Sequence, residues 1–251
     1  MPTGPSSYLS SGALARLAQV KARNEQSNYL DHIKISTNSF GYEETTKLFA
    51  MAKTIDLRML GHLSILKPRH ISGRLMAAYC KLVTAQCILD NIQTTPGGIC
   101  LRDFDLQRDF QDGNENIISH TIWCQPTDHD YDCLNNIVSV YTTSRYTNND
   151  RKVYFFYGIQ NLNFNHPSYA DQFIFKLNNI KMMDILQLTN RKPGENGYDF
   201  AYLQKPVLGR KNCNMTIQVH VGSDYPLIRD SRDNFKLLGI VGESVGQHIA
   251  G

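Results

Sequence analysis

The chain has no uninterrupted apolar stretch of the roughly eighteen residues that a membrane-spanning helix requires. Its opening residues, MPTGPSSYLSSG, carry neither the basic start nor the apolar core of a secretory signal. We therefore expect a chain that is neither inserted in a membrane nor secreted.

Charge is also scarce. Only 20% of the 251 residues are charged, and the formal net charge is +3. A dedicated nucleic-acid-binding protein is usually more basic than this, so the composition permits an anionic partner without requiring one. With 41% hydrophobic residues, the chain can bury a full core in one large domain.

The familiar catalytic signatures are missing. The sequence contains no Gly-x-Ser-x-Gly motif, no glycine-rich phosphate loop and no metalloprotease histidine pair. Asp103 and Asp105 have strand-like spacing but lie in a turn-rich segment, where solvated acids are common. The sequence therefore predicts no enzymatic activity, no cofactor and no small-molecule substrate.

Without a secretory signal, the cysteines are expected to be reduced thiols. Four residues of zinc-ligand type follow one another at short intervals: His120, Cys124, His129 and Cys133. His120 and Cys124, however, fall on one face of a predicted strand, about 13 Å apart. We therefore favour a buried cysteine with surface histidines, and predict no metal site.

One histidine invites a catalytic interpretation. The run His62-Leu63-Ser64-Ile65 resembles half of the signature of the two-histidine phosphoesterases, which need a second histidine with a hydroxyl two residues later. His120 and His220 both lack that hydroxyl residue. We therefore interpret His62 as an outward side chain on a half-buried strand.

The segment from Ile55 to Ile92 organises the rest of the prediction. Apolar and polar residues alternate from Ile55 to Ile65, which predicts a strand that Lys67-Pro68 ends. Ser72 is then placed to cap a long helix with one apolar face, reaching Ile92. A shorter helix is predicted over Glu43–Lys53, and a first short strand is possible from His32 to Ser36.

Beyond the Thr94–Gly98 turn, short runs rich in β-branched and aromatic residues replace helical periodicity. The Lys152 run is apolar on both faces, so we expect a central strand there, whereas the Met215 run should lie nearer solvent. The segment Ile180–Leu188 fits a strand or a short helix. Strands are predicted over Ile99–Arg102, Asn116–Cys124, Ile137–Thr143, Lys152–Phe164, Gln172–Leu177, Tyr198–Leu203, Met215–Val221 and Phe235–Val241.

These elements predict the fold class α+β: a β-rich antiparallel sheet or sandwich packed on one long helix. Residues 1–28 are expected to form a flexible arm that carries a short basic amphipathic helix, and residues 29–251 a single domain. The alternative for that arm helix is packing on its own domain.

Basic residues concentrate at two places that could contact nucleic acid or anionic lipid. Two more basic loop tips lie at Arg191-Lys192 and Arg210-Lys211, and Lys81 follows the second concentration on the helix. The alternative is that all of these are scattered solubilising charges. The candidate contact residues are Arg16, Lys21 and Arg23 on the arm, and Lys67, Arg69 and Arg74 before and within the long helix.

The order of elements resembles that of rhabdovirus matrix proteins. The matching parts are a strand at Thr54–Leu66, a basic corner at Lys67–Ile71, a helix at Ser72–Ile92 and the late apolar run FKLLGIVGE. This resemblance implies a non-enzymatic, self-associating viral protein that bridges a ribonucleoprotein to the inner face of a membrane. The implied location is the virion and the host cytoplasm, membrane inner face or nucleus.

Two alternatives remain open. The runs Arg151–Phe155 and Phe173–Lys181 are similar to paired strands in plant-virus movement proteins of the thirty-kilodalton class, which implies binding of single-stranded nucleic acid. About eight strands with one long helix also suit a jelly-roll capsid protein.

Overall fold

In a computed structural model, two helices and two β-sheets account for most of the chain that can be described. For six of the strands, β3, β4, β5, β7, β8 and β10, the description covers the backbone only. The structure describes residues 29–37, 41–60, 71–105, 109, 122–124, 131–132, 137–142, 151–162, 170–177, 180–182, 199–211, 215–221 and 233–246.

The helices are α1 (Tyr42–Thr54) and α2 (Gly73–Leu89), and short 3-10 helices occupy Leu57–Met59 and Pro96–Gly98. The strands are β1 (Ser36–Thr37), β2 (Ile99–Asp103), β3 (Ile122–Cys124), β4 (Tyr131–Asp132), β5 (Ile137–Thr142), β6 (Lys152–Asn161), β7 (Ala170–Leu177), β8 (Ile180–Met182), β9 (Asp199–Gly209), β10 (Met215–Val221) and β11 (Asp233–Ser244).

Helix α1 confirms the prediction of a helix over Glu43–Lys53. Acidic Glu43 and Glu44 lie in its first turn and Lys53 in its last, as the helix dipole favours. Lys53 also forms an ion pair with Asp31, 2.5 Å away, in the preceding helical turn at residues 29–32. The short strand predicted from His32 therefore begins only at Ser36.

Helix α2 begins as predicted and ends earlier. The Ser72 hydroxyl accepts a hydrogen bond from the Leu75 amide at 3.2 Å, which caps the helix. At the other end, Asn91 adopts the left-handed conformation with φ 55°, and the Ile92 amide bonds back to the Cys87 carbonyl at 2.9 Å. This Schellman arrangement stops the helix at Leu89 rather than Ile92.

The prediction that α2 has one apolar face was wrong. Every residue from Ala78 to Cys87 is buried, so neighbours cover the helix on all sides. The reason is that α1 packs against α2, while Ile55 and Leu60 enter the same core beside it. Lys81, the helix lysine that was expected to follow the basic corner, is only 7% exposed.

The strand predicted from Ile55 was also wrong over the part that is described. Leu57–Met59 form a 3-10 helix, with the Asp56 carboxylate accepting the Arg58 amide at 3.1 Å. Ile55 and Leu60 are buried whereas Met59 is 63% exposed. The alternating pattern therefore belongs to a turn whose flanking residues, Ile55 and Leu60, are buried in the core. Residues 61–70 lie outside the described part of the chain.

The first sheet has the order β1-β9-β6-β11-β2, with β3 also paired to β11. Pairs among β9, β6, β11 and β2 are antiparallel, and only the short β1 runs parallel to β9. Strand β6 is central and is buried throughout Val153–Gln160, which confirms its predicted position. The second sheet has the order β4-β5-β10-β7-β8 and is antiparallel.

The helical layer meets the first sheet at close range. The Tyr79 ring of α2 lies 4.8 Å from the Phe155 ring of β6, measured between centroids. At Gly242 of β11, a methyl group in place of the hydrogen would lie 2.5 Å from the Cys87 sulfur. Glycine is therefore what permits this approach of strand and helix.

An antiparallel sheet combined with helices confirms the α+β class. Residues 1–28, predicted to be an arm, lie outside the described residues. The strands predicted over Ile99–Arg102, Ile137–Thr143 and Met215–Val221 are present, whereas the part of the Asn116 run before Ile122 lies outside the description. Whether the Met215 strand faces solvent stays a prediction, because its side chains are not described.

Candidate functional site

Of the six predicted anion-contact residues, the structure places one. Arg74 lies in the first turn of α2 and is exposed. Arg16, Lys21 and Arg23 belong to residues 1–28, and Lys67 and Arg69 to residues 61–70, so all five lie outside the described residues. The expectation that they meet on one surface stays a prediction.

Arg74 lies at a positively polarised end of the molecule. The first turn of α2 contains no acidic residue, and the free amides there carry the positive end of the helix dipole. A cation at this position is mildly unfavourable for the helix, by about 0.3–1 kcal/mol. An anionic partner docked at this end would be attracted both by Arg74 and by the positive end of the helix dipole, and would offset the repulsion between them.

The Arg210-Lys211 tip, one of the basic tips that could contact phosphate or only solubilise the chain, is held by internal hydrogen bonds. Arg210 donates to the Asp90 carboxylate at 3.0 Å, and the Lys211 backbone amide donates to the other Asp90 oxygen at 3.2 Å. Glu44 of α1 lies 3.7 Å from the Arg210 guanidinium as well. Arg210 therefore joins the end of β9 to the ends of both helices, and its charge is largely neutralised.

A group of buried charges lies on the first sheet, formed by residues that the sequence analysis did not select as functional candidates. Arg102 of β2 donates to Glu243 of β11 at 2.9 Å and to Asp109 at 2.7 Å, the latter through two nitrogens. Lys152 at the start of β6 lies 3.5 Å from Asp109. The side chains of Arg102, Asp109 and Glu243 are at most 4% exposed.

Within this cluster the carboxylates of Asp109 and Glu243 both accept hydrogen bonds from the Arg102 guanidinium. Burial opposes the charge on Arg102, but the hydrogen bonds from Asp109 and Glu243 outweigh it and raise the pKa of Arg102. Asp109 also accepts the Asp105 amide at 2.9 Å, so its oxygens have fixed partners. The formal charges of two acids and two bases balance, and the ion pairs join β2, β6 and β11 through Asp109 and Glu243.

A second group of titratable side chains surrounds Tyr79 on the helix-facing side of the sheet. Its ring lies 5.6 Å from that of Tyr157. Burial raises the pKa of Tyr79 to about 12, and the nearby hydroxyls of Tyr29 and Tyr202 add to this rise. Burial likewise raises the pKa of the adjacent Cys80 thiol to about 12, with Asp103 contributing. These groups are protonated at neutral pH, so none is an activated nucleophile.

The metal and phosphoesterase candidates fall mostly outside the described residues. His62, His120, His129 and Cys133 are not described, and Cys124 is seen only as backbone in β3. Among the residues that are described, no three histidine, cysteine or acidic side chains group together as metal ligands. Cys80, Cys87 and Cys100 are buried.

Within the described ranges, no helix combines the length and apolar character needed to cross a membrane. Comparison with known proteins is equally without a match: no family model, no curated protein and no solved structure is significantly similar to this chain.

Proposed function

We propose that this chain is a non-enzymatic viral structural protein of matrix type, which self-associates and bridges a ribonucleoprotein to the inner face of a membrane. The observation that carries the proposal is the exposed Arg74 at the positively polarised start of α2. In this proposal Lys67 and Arg69 join Arg74 in one basic surface. Residues 1–28 form a flexible arm that adds Arg16, Lys21 and Arg23, while residues 29–251 form one domain whose β-rich body packs on α2.

The geometry of α2 supports this use of Arg74. Residues Ala78 to Cys87 are buried on every side, so the start of the helix is held in a fixed direction by the core. Weak contacts combine into useful avidity only when several copies present them in a constant orientation. A rigid helix that presents cations at its exposed end suits such a multivalent surface.

The buried charges support a structural rather than a catalytic role. Asp109 and Glu243 are locked onto Arg102, and Asp90 onto Arg210. Each carboxylate is held in an ion pair that joins distant strands or helix ends, which is a structural use of buried charge.

Charge reversal tests the proposal. The variant K67E/R69E/R74E should lose most of its co-sedimentation with vesicles containing anionic lipid, and the wild-type interaction should weaken as salt rises. Vesicles of neutral lipid give the baseline. Far-ultraviolet circular dichroism should show an unchanged fold, since Arg74 is exposed.

The chain offers a matched control. Lys47, Lys53 and Arg58 are each paired with an acid, namely Glu43, Asp31 and Asp56. The variant K47E/K53E/R58E makes the same change in net charge, from +3 to −3, because three reversals of two charges each subtract six. It should bind anionic vesicles better than K67E/R69E/R74E; equal binding by the two variants would contradict a localised basic surface.

Electron microscopy of the protein with and without RNA separates the alternatives. Sheets or condensed ribonucleoprotein are expected of a matrix protein. Closed shells of fixed size would favour a jelly-roll capsid protein, and cooperative coating of single strands a movement protein of the thirty-kilodalton class. Monomers inert to both RNA and vesicles at physiological salt would overturn the proposal.

A further inference from the structure

Two of the large hydrophobic side chains exposed in the described part of the chain lie together beside Tyr79. Tyr202 on β9 is 41% exposed, and Tyr29 in the helical turn at residues 29–32 is 37% exposed. Both hydroxyls are near enough to that of Tyr79 to raise its pKa. The two exposed rings therefore flank a buried tyrosine rather than lying on separate parts of the surface.

The rings of β9 are arranged as a platform. Phe200 and Tyr202 are two positions apart on β9 and therefore share one face of the strand. Their ring centroids are 6.4 Å apart and the ring planes are only 7° from parallel. Phe200 is half-buried against the core, which fixes the direction of the pair. Aromatic residues two positions apart on a sheet surface are an arrangement on which single-stranded RNA stacks its bases.

Positive charge lies at the same end of the sheet. Strands β1 and β9 are parallel, with Ser36 opposite Val207. Lys34 and Lys205 each precede these paired residues by two positions, and both lysines are exposed. Lys205 is three residues from Tyr202 along β9, and the two exposed lysines supply the positive charge that binding of a phosphate backbone requires.

We propose that Tyr202, with Phe200 and Tyr29, forms a stacking site for the bases of single-stranded RNA, with Lys34 and Lys205 along the backbone path. This inference deepens the proposed function, on which it rests for RNA as the partner. It assigns the RNA contact to a surface of the sheet, separate from Arg74.

The composition of this surface favours RNA over a protein partner. Lysines are depleted at the centres of protein interfaces and are common phosphate ligands, so the two exposed lysines are what favours a nucleic acid here. The exposed rings here are both tyrosines, which offer a flat face together with a hydroxyl donor. Any base can stack on such a ring, so the site should have little sequence preference.

The test measures anisotropy of a fluorescent uridine oligonucleotide of about twelve nucleotides, with the full-length chain. Tyr202→Ala should weaken binding by about 5- to 150-fold, the range measured for loss of one stacked base. Tyr202→Phe keeps the ring and should bind like the wild type. Tyr42→Ala removes a tyrosine that is 92% exposed on α1 and should have no effect.

An abasic oligonucleotide of equal length separates stacking from attraction to phosphate. The wild type should bind it more weakly than the uridine probe, and Tyr202→Ala should not weaken that binding further. Equal losses on both probes, unchanged uridine affinity in Tyr202→Ala, or a loss of self-association in sedimentation without a loss of RNA affinity would each overturn the stacking site.

Failure of this site is distinguishable from failure of the proposed function. If Tyr202→Ala binds RNA normally while anionic vesicle binding still depends on Arg74, the stacking site is wrong and the matrix role stands. If the wild type binds neither uridine RNA nor anionic vesicles, both proposals are wrong.

Discussion

Arg102 and Glu243 are 141 positions apart in the chain, yet they form a hydrogen-bonded ion pair of 2.9 Å inside the first sheet. Their side chains are 4% and 1% exposed. In the ladder, Arg102 lies opposite Val241 and Glu243 opposite Cys100, so the pair is diagonal across β2 and β11. Asp109 completes the neutralisation of the guanidinium from the other side.

Arg102→Met should be among the most damaging single substitutions in the described part of the chain. The methionine fills similar volume but leaves the carboxylates of Asp109 and Glu243 buried without their main partner. Breaking a buried pair in this way costs about 3–5 kcal/mol. The free energy of unfolding, measured by urea denaturation, should fall by that amount.

Arg58→Met is the matched control for Arg102→Met. Arg58 also donates hydrogen bonds to a carboxylate, that of Asp56, at 2.6 and 3.0 Å. Its side chain, however, is 79% exposed. Water screens an exposed pair of this kind, so Arg58→Met should lower the free energy of unfolding far less than Arg102→Met. Similar losses in the two variants would show that burial does not decide the strength of these pairs.

The ionic cluster shows where sequence reasoning failed and why. The sequence signal for this cluster was a charged residue within an otherwise apolar run, at Arg102 and at Glu243. The residues adjacent in sequence do not indicate which distant charges will form ion pairs. Two local features were read correctly: the Ser72 cap, which depends on its near neighbours, and the bounds of the strand Met215–Val221. The sheet order could not be predicted, because pairing β6 with both β9 and β11 is a long-range choice.

Strand β9 gives a second physical reason why the sequence did not predict the whole fold. The prediction ended this strand at Leu203, three residues before Pro206, which has no amide hydrogen to donate to a ladder. The structure continues it to Gly209 by a register shift: Tyr202 pairs with Gly158 and Val207 with Phe156, so the proline lies in the irregular stretch between them. Lys205 lies in the same irregular stretch and is exposed, and a search for strand patterns alone does not find such an irregularity.

Gly242→Ala should separate helix α2 from the first sheet. The new methyl group would lie 2.5 Å from the Cys87 sulfur and 2.7 Å from a Val83 methyl, both on a helix held by the core. Overpacking of this kind costs about 1–3 kcal/mol. We expect a lower thermal midpoint and a lower free energy of unfolding.

The matched substitution for Gly242→Ala is Gly73→Ala. A methyl group at Gly73, the first residue of α2, meets nothing within 4 Å. Alanine is there the better helix former, so stability should stay the same or rise by up to about 1 kcal/mol. If Gly242→Ala is as well tolerated as Gly73→Ala, α2 does not pack on β11 as closely as the structure shows.

Tyr79 and Cys80 should make the protein unstable in alkali. Burial raises the pKa of both groups to about 12, from ordinary values of 10.0 and 9.0. A group whose pKa is higher in the folded state contributes stability that is complete below its unfolded pKa and is lost as pH rises toward the folded value. Urea midpoints should therefore begin to fall near pH 9 and continue falling toward pH 12.

Tyr79→Phe cannot ionise at this position, so above about pH 10 its midpoint should fall less steeply than that of the wild type. Tyr42→Phe, at a ring that is 92% exposed, should follow the wild type. Identical alkaline slopes for Tyr79→Phe and the wild type would mean that the Tyr79 hydroxyl is not sequestered between helix and sheet.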